Sequence, residues 1–388
     1  MYILEVSYGC PSEKYPSNGN FQLDQAKALF GCGNKVVFAA LDMRSFRRWR
    51  RWGLYCHALD GIPVYEYNFP MGPVAETLRR KLAARGFEKL LARVIKEHGR
   101  PDVVHVHFAD TAAAIVEACR RRNIPFAVTE HASSLMDDAT AAPQKALMDH
   151  VYKNAACVIA VSPALAAQIK KYTGVEAVVV DDIVDTDTFR FESAARADSA
   201  PFRFVSAGHA ERRKGFDVLV AAFSRVCAVR DDCQLTIMGD GAELENIKRQ
   251  IAGLGLTDKV RCTGYFRRGE FARKLNESDC FVLASRHETF GVVYAEAMCC
   301  GVPVIATRCG GTEGFVNERN GLMVEVDDVD GLVSAMEYMH DHAADFDRKE
   351  IASAAESRFF PSAVAGSIAA VLDRALDRGK QRAGDTTF

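Results

Sequence analysis

The chain has 388 residues, more than one ordinary hydrophobic core organises and enough for two. With 48% hydrophobic and 26% charged residues its composition is globular, which excludes a disordered or low-complexity chain. A net charge of −2 leaves no basic excess for nucleic acid, and no such partner is expected.

Short apolar runs alternate with longer helical patterns, the mark of parallel α/β layers. In the first half, strands are expected at Tyr2–Ser7, Lys35–Ala39, Val103–His107, Phe126–Thr129, Val158–Val161 and Val178–Val180. Helices are expected at Phe21–Phe30, Val74–Glu97, Thr111–Arg121 and Pro163–Lys171. A polar stretch, Glu192–Pro201, has no periodicity and reads as a linker. A second alternating series follows, with strands at Phe202–Ala207, Gln234–Met238, Val260–Thr263, Cys280–Ala284 and Pro303–Ala306. After the first of these, Phe216, Leu219, Val220, Phe223, Val226 and Cys227 fall on one helical face. Two open α/β domains are therefore expected, with ligands at the carboxyl ends of their strands.

Twelve cysteines form no CxxC pair, and several sit in apolar runs. They read as small buried hydrophobes in a reducing compartment. The start, Met-Tyr-Ile-Leu-Glu-Val, lacks the pattern of a signal peptide, and no apolar run approaches a membrane span. A cytoplasmic protein is expected.

The strongest motif runs from Ser285 to Pro303. Glu288 falls in a loop after a strand, followed by Phe290, Gly291, Val292 and Val293. Glu296 stands in the next helix with seven residues intervening. A helix N-terminus presents free N–H groups to a diphosphate, and Gly291 lets the backbone come close to it. A second motif, Ser206-Ala-Gly208-His209-Ala-Glu-Arg212-Arg213-Lys214-Gly215, follows a strand and opens a helix. In the first half, Gly19 lies before a helix, and His131 follows a strand in Thr129-Glu130-His131.

These motifs, spread over almost the whole chain, resemble glycosyltransferase family four. The resemblance implies the GT-B fold: two facing Rossmann-like domains with a cleft between them. It assigns residues 1–190 to acceptor binding, 191–201 to a linker and 202–360 to the nucleotide-sugar donor. Residues 361–388 become a helix crossing back to the first domain, then a tail. By the same resemblance Glu296 holds the nucleotide ribose and Glu288 the hydroxyls of the transferred sugar. Lys214 neutralises the leaving diphosphate, and His131 faces the transferred sugar. Gly19, His209, Arg213, Phe290, Gly291, Val292 and Val293 complete the expected donor contacts. The family commonly has Arg where this chain has His209, and two glycines where only Gly19 is evident.

The resemblance further implies a retaining transfer that needs no cofactor or metal, the basic Lys214 loop standing in for a cation. The expected substrates are a UDP- or GDP-sugar and a saccharide or lipid-linked saccharide acceptor, in surface polysaccharide or glycoconjugate synthesis. Two rivals remain: a nucleotide-sugar epimerase or hydrolase of the same fold, and a binding protein without catalysis. Asp185-Thr-Asp187 could hold a divalent metal in other settings but lies before the linker, so a structural role is expected. His105 and His107 alternate on one strand with no third ligand evident, and are also read as structural. Arg44, Arg47, Arg48, Trp49, Arg50, Arg51 and Trp52 form a basic, tryptophan-bearing stretch. It suits an acceptor contact or an anionic membrane, here the inner face of the cell membrane.

Overall fold

The computed structural model describes residues 1–15, 18–45, 50–72, 74–136, 142–192 and 200–384. They form two compact units: Met1–Ile183 together with the chain from Pro361 on, and Val184–Phe360.

The first unit is built on an eight-stranded sheet. Its strands are β1 (Tyr2–Ser7), β2 (Lys35–Asp42), β3 (Gly53–Leu59), β4 (Ile62–Asn68), β5 (Val103–His107), β6 (Phe126–Glu130), β7 (Cys157–Ala160) and β8 (Val178–Val179). The order across the sheet is β3-β4-β2-β1-β5-β6-β7-β8, and only the β3–β4 pair is antiparallel. Every residue of β1, β5 and β6 is buried, as strands covered on both faces must be. β3 and β4 were not expected from the sequence. They are joined by Asp60-Gly61, both at positive φ, the geometry that a two-residue hairpin turn demands.

Helix α1 (Asn20–Gly31) packs its Leu23, Ala26 and Leu29 into a core shared with Val364, Ile368 and Leu372 of the helix Pro361–Gly384. Among the described residues, the stretch Arg348–Asp377 has the length and composition of a membrane span, which the sequence reading did not anticipate. It comprises two helices, Arg348–Phe359 and Pro361–Gly384. The apolar side chains Ile351, Phe359, Val364, Ile368 and Leu372 are buried inside the protein, as in a core helix.

The second unit carries a parallel sheet of β9 (Phe202–Ala207), β10 (Cys233–Met238), β11 (Val260–Cys262), β12 (Cys280–Val282), β13 (Val304–Thr307) and β14 (Gly321–Val324). Their order is β11-β10-β9-β12-β13-β14. β14 was also unexpected.

The unit boundary lies earlier than the sequence suggests. Residues 184 to 190, expected in the first domain, pack in the second unit. The Val184 amide donates to the Phe359 carbonyl, and the Phe189 ring meets Phe271 edge-on. The expected linker is tethered at its start, where the Glu192 amide donates to Asn276 and Asn276 donates to the Arg190 carbonyl. Residues 193–199 of that linker lie outside the described residues.

Candidate functional site

In the second unit two loops meet at the carboxyl ends of β9 and β12. The first carries a short turn, Arg212–Lys214, then Gly215 as N-cap of the helix Phe216–Val229. Gly215 has φ +62°, and a Cβ there would lie 1.8 Å from the Ala284 carbonyl oxygen, so only glycine fits. The second loop runs from Ser285 to Gly291, which caps the helix Val292–Cys299 at φ +91°. Arg286 joins the loops: its amide donates to the Arg213 carbonyl and its guanidinium clasps Asp217, at 3.0 and 2.8 Å. Burial pushes the Asp217 carboxyl up, but the Arg286 hydrogen bond and charge, together with backbone amides, outweigh it and the net shift is downward.

This folding brings Lys214 and Glu288 together, 74 residues apart in sequence. Lys214 Nζ donates to Glu288 Oε1 at 2.6 Å, and Ser285 Oγ donates to the same oxygen at 2.7 Å. Lys214, Glu288 and Glu296 are all buried, at 8%, 5% and 8% exposure. Charges shielded this well are held against a large desolvation cost and are retained where chemistry uses them. Val292 and Val293 form the first turn after Gly291, where N–H groups precede the intrahelical bonds.

Other expected donor residues sit differently. The Phe290 ring is buried against Phe315 and Phe359, so what it offers a ligand is backbone. Arg213 donates to Glu211 Oε2 at 2.7 Å, and His209 Nε2 lies 3.4 Å from Glu211 Oε1, so both basic groups share one acid. Gly311 was missed. A Cβ there would lie 2.6 Å from the Phe290 amide, and the Gly310-Gly311 pair after a strand was the available signal. Asp185 accepts from the Thr188 hydroxyl at 2.7 Å and from its amide at 3.3 Å, a local turn within the second unit.

In the first unit, Gly19 caps α1 at φ +74°, and a Cβ there would strike the Gly9 carbonyl oxygen at 2.1 Å. Gly9 is itself confined, since a Cβ would meet Asn18 Nδ2 at 2.0 Å. At Gly9 the clash is with the end of a side chain, which can move, whereas at Gly19 it is with backbone; the sequence reading did not single out Gly9. Pro16 and Ser17 lie outside the described residues.

His131 follows β6 and ends a chain of buried polar groups. Glu5 of β1 is fully buried between two histidines of β5: His105 Nδ1 at 3.0 Å from Oε2 and His107 Nε2 at 2.6 Å from Oε1. His105 Nε2 meets Thr129 Oγ1 at 2.7 Å, His107 Nδ1 meets His131 Nε2 at 3.0 Å, and His131 Nδ1 lies 3.3 Å from Asp182 Oδ1. Burial pushes the Glu5 carboxyl up, yet His105 and His107 hold it down at about 2. Burial pushes His107 down to about 4 against the pull of Glu5. Glu5 supplies the third close group that the sequence reading did not see beside His105 and His107. Tetrahedral zinc with bonds of about 2.0–2.1 Å would hold its ligand atoms about 3.3 Å apart. The 2.6 and 3.0 Å separations are those of direct hydrogen bonds.

Glu130 fixes the backbone here. Its carboxylate accepts from the amides of Ala109, His131 and Ala132 and from the Tyr152 hydroxyl, at 2.7 to 2.9 Å. A cavity of about 390 Å³ opens at the ends of β1, β2 and β5, lined by Tyr8, Leu41, Arg79, Arg80, Phe108 and Asp110 among others. Phe108 adopts φ +68°, a strained backbone for a residue with a Cβ and typical of a functional site.

The expected basic stretch is less free than it reads. Arg44 and Arg50 both pair with buried Asp42, at 2.6 and 2.5 Å, and Arg50 lies over the Trp52 ring. Arg51 lies over the Tyr55 ring. Arg47, Arg48 and Trp49 lie outside the described residues.

Two parallel α/β units with a Gly-capped, Lys–Glu site at strand ends define a GT-B transferase. The family model "Glycosyl transferases group 1" matches residues 187–358, and "Glycosyltransferase Family 4" matches residues 37–188. The chain belongs to these glycosyltransferases and is an enzyme of that class. It is 29% identical over 319 residues to a D-inositol 3-phosphate glycosyltransferase of Arthrobacter sp. (strain FB24), covering 74% of this chain and 76% of that one. It is 32% identical over 199 residues to the lipopolysaccharide core biosynthesis glycosyltransferase LpsE of Rhizobium meliloti, covering 48% and 54%. Among solved structures, sucrose-phosphate synthase from Thermosynechococcus elongatus superposes with TM-score 0.81 at 19% identity, covering 97% of this chain and 100% of that one. Anabaena HepE in complex with UDP gives TM-score 0.74 at 18% identity, covering 96% and 100%.

Proposed function

We propose that the chain transfers a sugar from a UDP- or GDP-sugar to a saccharide or lipid-linked saccharide, with retention and without a metal. The observation that carries this reading is the buried Lys214–Glu288 pair beside the Gly291-capped helix. The helix N–H groups and Lys214 suit a diphosphate, and that fixed positive charge grows in value as the phosphate leaves. Glu288 and Glu296 suit sugar and ribose hydroxyls. With both carboxylates engaged in binding, acceptor attack on the leaving-group face is favoured over a covalent glycosyl-enzyme. The departing phosphate then takes the acceptor proton. The cavity beside Tyr8 and Arg79 is the proposed acceptor site.

The two expected rivals, hydrolase or epimerase and silent binder, separate in one experiment. Purified protein is incubated with labelled nucleotide sugars, with and without saccharide and lipid-linked acceptors, and with EDTA. The anomer of the product is read by NMR. Acceptor-dependent, EDTA-resistant formation of the donor's own anomer is expected. Turnover that EDTA abolishes and magnesium or manganese restores would overturn metal independence. An inverted product would overturn retention, and loss of label to water alone would make the protein a hydrolase. A reducing compartment is proposed from the twelve free cysteines, several with thiols pushed up by burial, Cys10 and Cys119 to about 12.

A further inference from the structure

Besides the Glu5 group, two clusters of metal-ligating side chains stand among the described residues. In one, Asp232, Cys233 and His340, both ring nitrogens of His340 already have partners: Nε2 meets Asp232 at 3.0 Å and Nδ1 meets Asp341 at 3.1 Å. In the other, Cys10, His57 and Glu66, the ring is not satisfied. Nδ1 of His57 is sealed from solvent and has no hydrogen-bond partner among the described residues. Glu66 Oε1 lies 3.7 Å from it, too far for a hydrogen bond. A buried polar atom left unsatisfied costs free energy, and native folds bear that cost where something else takes up the atom.

The three side chains come from separate segments. Cys10 lies in the loop between β1 and α1. His57 and Glu66 lie on the paired strands β3 and β4. His57 is opposite Val64 and Tyr55 opposite Glu66, so His57 and Glu66 are diagonal neighbours on one face. One ligand atom from each of the three lies within 4.8 Å of the other two, so an ion between them reaches all three with shifts under about 1 Å. The 3.7 Å between Nδ1 and Oε1 is close to the roughly 3.3 Å between two ligands of one tetrahedral zinc.

The surrounding contacts are those that orient metal ligands. Asn68 Nδ2 donates to Glu66 Oε2 at 3.3 Å, and the Tyr55 hydroxyl is hydrogen-bonded to the same carboxylate. The His57 ring stacks on Tyr55 at 5.9 Å. Cys10 is buried, and Asn18 Nδ2 donates to its carbonyl at 3.3 Å. Burial, then the charges of Glu66 and Asp42, push the Cys10 thiol up to about 12. The negative field that holds the thiol proton equally attracts a cation, and a coordinated thiol gives its proton up.

We propose that Cys10 Sγ, His57 Nδ1 and a Glu66 carboxylate oxygen bind one zinc ion, with a fourth position for water, and that the ion pins the loop after β1 to the β3–β4 hairpin. A thiolate, an imidazole and a carboxylate are the ligands of a borderline-soft divalent ion rather than of magnesium or calcium. The role is structural. The cluster lies in the first unit, whereas Lys214, Glu288 and Gly291 lie in the second, and the ion has no step in the transfer.

The test needs neither donor nor acceptor. The full chain is stripped of metal with a chelator under reducing conditions and titrated with Co²⁺, then with Zn²⁺. A stoichiometric thiolate-to-cobalt charge-transfer band is expected, with the intense d–d bands of four-coordinate cobalt, both bleached by zinc. Cys10→Ser should lose the charge-transfer band, and its zinc affinity, read by competition with a chromophoric chelator, should fall at least about 100-fold. His57→Gln and Glu66→Gln should each weaken zinc about tenfold or more. Cys233→Ser, from the other cluster, should keep both the band and the affinity. Zinc, and not magnesium or manganese, should raise the melting temperature of stripped wild type by several degrees and leave that of Cys10→Ser unmoved. Circular dichroism reports whether each variant folds, and His57→Gln, at a partly exposed position on an edge strand, serves if Cys10→Ser does not. A folded wild type without the band, a band that survives Cys10→Ser, or a band lost in Cys233→Ser overturns the assignment.

Discussion

Glu5 and Glu288 are both buried carboxylates at a sheet of their unit, yet their settings differ. Glu5 lies inside a strand and is held by two imidazole rings of the adjacent strand. Glu288 lies in a loop and is held by a flexible ammonium and a hydroxyl. Strand partners are set by register and cannot be exchanged without breaking the sheet. A lysine on a turn can leave its carboxylate for a phosphate, freeing the acid for sugar hydroxyls. The first arrangement suits orientation and the second suits exchange with a ligand.

Acid should break the first setting, with the largest effect. Glu5 is held at about 2, below its ordinary 4.5, so its contribution is complete above that value and lost as pH falls toward 2. His107 is held at about 4, below its ordinary 6.5, so protonation of the unfolded chain also favours unfolding as pH falls below 6.5. Both effects have the same sign, and Glu5 alone is worth about 3 kcal/mol over that span. Both tryptophans lie in the first half of the chain, at 49 and 52, so their fluorescence in urea titrations follows the first unit. Wild type should lose stability from pH 6.5 downward, and Glu5→Gln should flatten the lower part of that curve. Equal slopes for the two proteins would remove the charge on Glu5 from the account.

Lys214→Ala tests the exchangeable setting. Turnover should drop about 100-fold, since the lost charge acts mainly on the leaving group. Nucleotide affinity should fall far less. Near-equal losses in both would make Lys214 a ground-state contact. Glu296→Ala should act the other way, weakening UDP or GDP binding about tenfold by calorimetry, the worth of one charge-assisted hydrogen bond. If neither nucleotide binds more weakly, Glu296 does not hold the ribose.

The smallest effect is expected at the membrane. Arg44 and Arg50 share Asp42, whose single negative charge offsets one of the two, so the stretch offers less charge than its five arginines suggest. Changing Arg47, Arg48 and Arg51 to Ser should reduce sedimentation with anionic liposomes at low salt by a few-fold, each arginine near the surface being worth about 1 kcal/mol before losses. Identical pelleting of variant and wild type would leave the stretch to the acceptor.

Much of the second unit was legible because its site is local: Glu288, Gly291 and Glu296 fall within nine residues, and Lys214 sits at a strand end. The first unit was less so. In Tyr-Ile-Leu-Glu-Val-Ser a lone acid on a strand reads as the polar face, and only pairing with β5, about 100 residues on, shows it buried. The β3–β4 hairpin was masked by the arginines before it, although Asp60-Gly61 was a turn signal in plain view. The early unit boundary follows from where Val184 and Phe189 bury, which period and composition do not specify.

The first unit is discontinuous in sequence, and this orders its birth. Synthesis delivers β1 to β8 first, but Leu23, Ala26 and Leu29 of α1 keep an uncovered apolar face until the helix from Pro361 has been made. The second unit is one unbroken segment and has all its strands before that helix exists. The half made first is therefore finished last, and a growing chain carries a sticky α1 face for some 340 residues of translation. A chain stopped at Phe360 should retain UDP binding yet show α1 amides exchanging hydrogen rapidly. Protected α1 amides in that fragment would show that the first unit closes without its last helix.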